Sequence, residues 1–253
     1  MNIRILGAHN TESNKTRMNC ILIDNKLVLD AGGLTSSLSL KAQMRLKTVC
    51  ITHAHYDHVR DIPALGMNLY LNRGNINICA TAEVYTSLTK YLVNDDLYPN
   101  WFKRSVFRFT RLEPYQSRLV DDYTIMAVPV NHPVPTVGYQ VSGSDGKTLF
   151  YTGDTGIGLT DCWRHISPQL LIIEVTASNR YEESVGNGAK HLTPRLLYDE
   201  LKSFCNLKGY LPQVLIIHMN PPLEDEIRSE IAAVSESLNC SITLAYEGMK
   251  FNI

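Results

Sequence analysis

A layered α/β domain with mixed β-sheets is predicted by three observations. Short apolar runs in the first half of the chain are joined by turn residues, as in hairpins. Those in the second half alternate with helical stretches, as in crossover units. The 253 residues, 44% hydrophobic and 19% charged, suffice to bury a large core. We expect a single domain over residues 1–253.

The elements follow in order. Ile3–Leu6, Cys20–Ile23 and Lys26–Leu29 read as strands, the last two joined by the tight-turn pair Asp24-Asn25. Ser39–Leu46 has helical character, and Lys47–Ile51 is a strand running into the polar segment THAHYDH. Ile62–Leu71 and Ala82–Asn94 read as helices around a strand at Ile76–Ala80. Four strands come next, at Val106–Leu112, Tyr123–Val130, Thr136–Val141 and Thr148–Tyr151, with Ser144-Asp-Gly146 turning between the last two. Leu170–Val175, Val214–Ile217 and Ser241–Ala245 are strands, and Thr193–Leu207 and Leu223–Leu238 helices. Pro194 sits where a first-turn proline belongs, after Thr193 as N-cap.

Composition narrows the function. Lys and Arg total 24 and Asp and Glu 25, a net charge of −1, which argues against a large basic surface for nucleic acid. No apolar run approaches the ~18 residues of a membrane span. The N-terminus lacks a signal-peptide core, so a cytoplasmic protein is expected. The six cysteines are scattered singly, without CxxC spacing, and read as free thiols.

The chemistry concentrates in His53-Ala-His55-Tyr-Asp57-His58, directly after an apolar strand. Residues two apart in an extended segment point the same way, so His53 and His55 can grip one ion. Asp57 and His58, past a turn, can face a second. Imidazole and carboxylate together suit zinc, manganese or iron. His132, Asp154 and His218 each emerge just beyond an apolar run, where a sheet would deliver them to a common rim. A lone histidine after a strand is ordinarily structural, and that reading would have to hold for all of them at once.

The order Asp30, HAHYDH, His132, Asp154, His218 resembles the metallo-β-lactamase superfamily over nearly the whole chain. The resemblance implies an αββα sandwich of two mixed β-sheets flanked by helices, with a two-metal site. It assigns His53, His55 and His132 to one metal, Asp57, His58 and His218 to the other, and Asp154 to both. Asp30 in LVLDAGG would brace the histidine loop, or serve structure alone. The expected cofactors are two divalent metal ions, zinc foremost, with manganese or iron as alternatives.

Glu174 in LLIIEVTASN and His191 in KHLTP are similar to a pair in the phosphodiesterase branch, where they assist proton transfer at phosphate. A strand-end carboxylate and a helix-capping histidine are the plain alternatives. Within that branch the chain looks most like class II-type cyclic-nucleotide phosphodiesterases, and more distantly tRNase Z. Asp57, His191 and Glu174 are the implied catalytic residues. The expected reaction is hydrolysis of a 3′,5′-cyclic nucleotide or related small phosphodiester by a hydroxide shared between the metals. Alternatives are tRNA 3′-end processing, hydrolysis of an ester, thioester or lactone, and a non-hydrolytic di-iron sensor. The expected partner is a small phosphodiester, with nucleic acid disfavoured, no membrane, and a homodimer allowed by the resemblance. Residues 91–112, His9 and His165 receive no role.

Overall fold

The computed structural model describes residues 1–253, the side chain of residue 187 excepted. Fourteen strands form two seven-stranded sheets. In chain order they are β1 (Asn2–Gly7), β2 (Cys20–Ile23), β3 (Leu27–Leu29), β4 (Thr48–Cys50), β5 (Ile76–Ala80), β6 (Phe107–Arg111) and β7 (Ser117–Val120), then β8 (Tyr123–Pro129), β9 (Val137–Gly143), β10 (Thr148–Tyr151), β11 (Leu170–Glu174), β12 (Gln213–Ile217), β13 (Ile242–Leu244) and β14 (Lys250–Asn252). The first sheet runs β14-β1-β2-β3-β4-β5-β6 and the second β13-β12-β11-β10-β9-β8-β7. Each is antiparallel in one half and parallel in the other: β14 through β3 and β7 through β10 are antiparallel, the remaining neighbours parallel.

Alternation along the strands explains the layering. Ile21, Ile23, Leu27 and Leu29 of the first sheet share an inner core with Ile172, Leu215 and Ile217 of the second. Their sequence neighbours point outward: Cys20, Leu22 and Val28 pack under the helix Ile62–Leu71, while Leu171, Ile173, Val214 and Ile216 meet the helices Pro194–Lys208 and Glu224–Leu238. Both faces of each sheet are covered, so these strands read as unbroken apolar runs and not as alternating ones. The result is the expected helix–sheet–sheet–helix sandwich.

The predicted turns hold in detail. Asp24 and Asn25 both take positive φ, 48° and 57°, which a two-residue hairpin with the right twist requires. Several elements differ from the sequence expectation. The helix expected over Ser39–Leu46 shrinks to Leu40–Gln43, capped by the Ser39 hydroxyl, with a further turn at Leu34–Ser37. The helix from Ala82 widens into a π-turn over Leu88–Leu92. Strand β7 exposes three of its four residues and so carries no apolar run to detect. Strand β14 owes its form to pairing with β1, far off in sequence. No helix among the described residues is long and apolar enough to cross a membrane.

Within the unassigned stretch 91–112, Trp101 and Phe107 belong to the core. Trp101 is buried and donates its indole N–H to the Pro63 carbonyl (3.2 Å). His165 ends a short helix, Thr160–His165, and packs on Tyr115 away from the histidine cluster.

Candidate metal centre

Strands β10, β11 and β12 are parallel, and β8, two strands from β10, runs the same way. Their C-terminal ends therefore share one edge of the second sheet. His132, Asp154, Glu174 and His218 leave from that edge. The first sheet contributes His53, His55, Asp57 and His58 from the loop and short helix after β4. The two sheets thus deliver one set of side chains to a common rim.

The residues converge in two overlapping groups. Candidate ligand atoms of His53, His55, His132 and Asp154 lie within 4.8 Å of one another, as do those of Asp57, His58, Asp154 and His218. Asp154 belongs to both: its carboxylate lies 3.0 Å from His58 Nε2, 3.3 Å from His218 Nε2 and 3.6 Å from His53 Nε2. His55 Nδ1 is 3.2 Å from His132 Nε2, and Asp57 Oδ2 is 3.1 Å from His218 Nε2. All seven expected ligands come together. His55 and Asp57 are the partly exposed members, and His53, His58 and Asp154 are essentially sealed from solvent.

Hydrogen bonds outside the cluster fix which ring nitrogen faces in. Asp30 accepts from Thr52 N–H (2.8 Å), Thr52 Oγ1 (2.8 Å), His58 Nδ1 (2.7 Å) and the Tyr151 hydroxyl (2.7 Å). The Thr52 hydroxyl proton is spent on Asp30, so the 3.0 Å contact to His53 requires His53 Nδ1 to donate. The same logic holds at His218. Thr176 donates to Glu174 Oε2 (2.8 Å) and therefore accepts from His218 Nδ1 (2.7 Å). His132 Nδ1 donates to the Lys190 carbonyl (3.4 Å). Each of these four rings engages its Nδ1 outside the cluster and turns Nε2 inward, the nitrogen that would bind a metal once free of a proton.

The donor set fits divalent cations. His53 Nε2, His58 Nε2 and Asp154 Oδ1 are buried without a well-directed hydrogen bond, although the last two stand 3.0 Å apart, an arrangement that is costly unless something else binds them. Burial holds His53 and His55 below the ordinary histidine pKa and pushes His132 down to about 3, which keeps these three rings neutral. At His58 burial acts the same way, but Asp154, Asp30 and Asp57 outweigh it and push the pKa well up. Those three carboxylates concentrate negative charge around one buried imidazole, and cations would balance it. The ions would be held by His53, His55, His132 and Asp154 on one side, and by Asp57, His58, His218 and Asp154 on the other.

A third group, Asp154, Glu174, His191 and His218, is equally compact. Glu174 is already saturated there. Its oxygens accept from His191 Nδ1 (2.6 Å), Thr155 N–H (3.0 Å), Thr176 Oγ1 (2.8 Å) and Leu192 N–H (3.2 Å). Glu174 is therefore a fully buried anchor for His191 and not a metal ligand. The His191 ring lies 5.1 Å from that of His132 and 5.2 Å from that of His218, over the line between the two ligand groups. Burial lowers its pKa, but the Glu174 carboxylate more than reverses this and raises it to about 9.

Three of the eleven non-glycine residues with left-handed φ among the described residues stand at this site. Asp30, Lys190 and His218 all take left-handed φ, at 56°, 56° and 63°, a conformation costing non-glycine residues on the order of 1–3 kcal/mol each. Glycine is needed beside Asp30: a Cβ on Gly32 would stand 2.0 Å from the Asp57 carbonyl oxygen. The residues missed in the sequence are Thr52, Tyr151, Thr176 and the Lys190 carbonyl. Thr52 adjoins His53 and Thr176 lies two residues past Glu174, so hydroxyls beside candidate ligands were the available signal. Nothing local marks Tyr151.

Comparison with known proteins agrees with this architecture. Residues 25–219 match the model of the beta-lactamase superfamily domain. Over 110 residues the chain is 30% identical to ribonuclease Z of Pyrococcus abyssi, a stretch covering 42% of this chain and about a third (34%) of that protein. Yeast PDE1 superposes with a TM-score of 0.85 at 16% identity, covering 100% of this chain and 99% of the other. The metallo-β-lactamase fold protein YhfI from Bacillus subtilis gives 0.77 at 17% identity (99% and 98%), and the short form of human tRNase Z 0.71 at 18% (100% and 99%). With the family model spanning most of its length, and with a candidate metal-binding cluster at the rim of two seven-stranded sheets, this chain belongs to the metallo-β-lactamase superfamily of metal-dependent hydrolases.

Proposed function

We propose that the protein is a metal-dependent phosphodiesterase whose substrate is a small diester, a 3′,5′-cyclic nucleotide. The observation that carries this reading is the His191–Glu174 pair. It sets a protonated imidazole over the boundary between two candidate metal groups, where a leaving oxygen needs a proton. Divalent ions at these positions supply Lewis acidity and a nucleophile at neutral pH.

The chain's own residues supply the rest. Glu174, held by four hydrogen bonds, fixes His191 through Nδ1 and leaves Nε2–H directed at the substrate. His191 donates that proton to the departing ribose oxygen. Asp57, half-buried beside His218, orients the attacking water with its carboxylate. The buried walls exclude bulk water and strengthen each interaction with the developing charge.

The similarity to ribonuclease Z of P. abyssi favours a second reading, tRNA 3′-end processing, since a ribonuclease also acts on a phosphodiester. Against it, proteins of the tRNase Z type carry a substrate-gripping arm between the residues matching His132 and Asp154, or on a partner subunit, and here the 22 positions from His132 to Asp154 are taken up by the β9–β10 hairpin.

The test is turnover of 3′,5′-cAMP, 3′,5′-cGMP, bis(p-nitrophenyl) phosphate and a precursor tRNA by protein reloaded with Mn²⁺ or Zn²⁺ after chelation. Cleavage of the cyclic nucleotides supports the proposal, and cleavage of the tRNA alone replaces it with the second reading. His191→Ala should lower kcat by roughly 10²–10⁴ with bound metal unchanged. Full activity in that variant removes the proton-transfer role.

A further inference from the structure

A cleft of about 230 Å³ opens beside His55. Its apolar walls are Ala54, Val84, Val134 and Pro135. Glu83, Ser87 and Tyr91, from the helix beginning at Ala82 and the π-turn that follows it, supply the polar lining. The volume falls below the roughly 300–1,000 Å³ of clefts for drug-sized ligands, so it suits one flat ring system and not a polymer. Tyr91 is 65% exposed, and its ring carries the Lys90 ammonium 4.8 Å from its centroid, so it offers a stacking surface with one face engaged.

His55 belongs both to this cleft and to the candidate metal group, so a phosphate at the metals would extend its attached sugar and base towards it. A carboxylate in the lining repels phosphate and excludes a second phosphate subsite. We propose that this cleft is the base subsite of the phosphodiesterase described above, on which the inference rests, and that Glu83 makes it selective for guanine.

The selectivity follows from hydrogen-bond chemistry. An ionised carboxylate only accepts. Guanine offers two adjacent donors, N1–H and the 2-amino group, which match two carboxylate oxygens in one bidentate pair. Adenine sets its single donor beside the N1 lone pair, which faces the second oxygen unfavourably. Uracil flanks N3–H with two carbonyls. The Glu83 carboxyl is held below its usual range by its own backbone amide and the Thr81 hydroxyl, with the Arg111 charge adding to this, so it is ionised at neutral pH.

The experiment is calorimetric titration of guanosine, adenosine and uridine into metal-loaded wild type, Glu83→Gln and Ser87→Trp. Wild type should bind guanosine about tenfold or more tightly over adenosine. Glu83→Gln should remove that preference while leaving the fold and the bound metal count unchanged, and Ser87→Trp, which fills the cleft, should bind neither nucleoside. In turnover the preference for cGMP over cAMP should fall mainly in KM. Equal binding of the nucleosides, no binding, or a guanosine preference surviving in Glu83→Gln overturns the subsite. Nucleosides carry no phosphate, so the two claims fail separately. Guanosine binding at Glu83 without diester cleavage removes the phosphodiesterase reading, and cleavage without base preference removes only the subsite.

Discussion

Asp30 accepts four hydrogen bonds at full burial, and two of them reach the candidate ligands directly or through one hydroxyl. A carboxylate is required because every partner donates. Asp30→Asn presents an amide N–H to one of these donors and frees the His58 ring to change tautomer. Metal affinity should fall roughly 10–100-fold, the usual cost of losing such a support, as measured by competition with a chromogenic chelator. His9 is a second buried residue with a legible consequence. Its Nδ1 lies 2.6 Å from Glu247 and its Nε2 3.2 Å from Glu224, tying the N-terminal loop to the last turn and to the helix Glu224–Leu238. Burial lowers its pKa, but the two glutamates raise it above 6.5 overall, while His9 and Arg17 N–H bring Glu247 below 4.5 against the effect of burial. The histidine's contribution is complete below pH 6.5 and is lost as pH rises through its folded pKa. The glutamate's is complete above pH 4.5 and is lost as pH falls. His9→Gln should therefore show its largest deficit in melting temperature between about pH 4.5 and 6.5, shrinking in alkaline buffer; a deficit independent of pH would mean that packing alone is lost. In the sequence His9 is a lone histidine in GAHN, and neither glutamate is near enough to announce the contact.

At the scale of elements, the strands that carry the site were the most legible. LVLD, TVCITH, LFYTGD and VLIIH each join an apolar run to a polar terminus, and in each the run is a strand and the terminus lies at the rim. Elements held by distant partners were not legible: β14 exists because β1 pairs with it, and β7 because β8 does. The aromatic stretch between residues 91 and 112 illustrates the same point. The sequence assigns this stretch no role, and the structure turns Trp101 inward against the helix Ile62–Leu71. Gly66 of that helix lies so close that a Cβ would stand 2.1 Å from Trp101 Cδ1. Alanine favours a helix over glycine by about 1 kcal/mol. Overpacking the buried indole costs about 1–3 kcal/mol, and disturbing its hydrogen bond to Pro63 about 1 more. Gly66→Ala should thus destabilise by about 2 kcal/mol, a fall of roughly 4–8 °C in Tm for a chain of this size. A rise in Tm would show that the indole moves aside freely.

For the whole molecule, the two sheets meet through an apolar inner core and again at the rim. There the loop after β4 of one sheet faces the ends of β8, β10 and β12 of the other. Ions held between them would clasp the sheets together as well as serve chemistry. The layer architecture was readable because both faces of each sheet are buried and the strands are apolar throughout. Which strands neighbour one another was not, because sheet order is set by long-range packing. A ligand at a thousandfold excess over its Kd stabilises by about 4 kcal/mol, so chelation should lower Tm by about 10 °C. The most direct test of the two-ion centre is a count of bound Zn²⁺ or Mn²⁺ per chain by native mass spectrometry after reloading, with thermal melting of the same samples. Two ions per chain in wild type, with fewer in His53→Ala and in His58→Ala, is the expected result. A wild-type chain that stays metal-free at saturating ion, and melts identically with and without chelator, would contradict it.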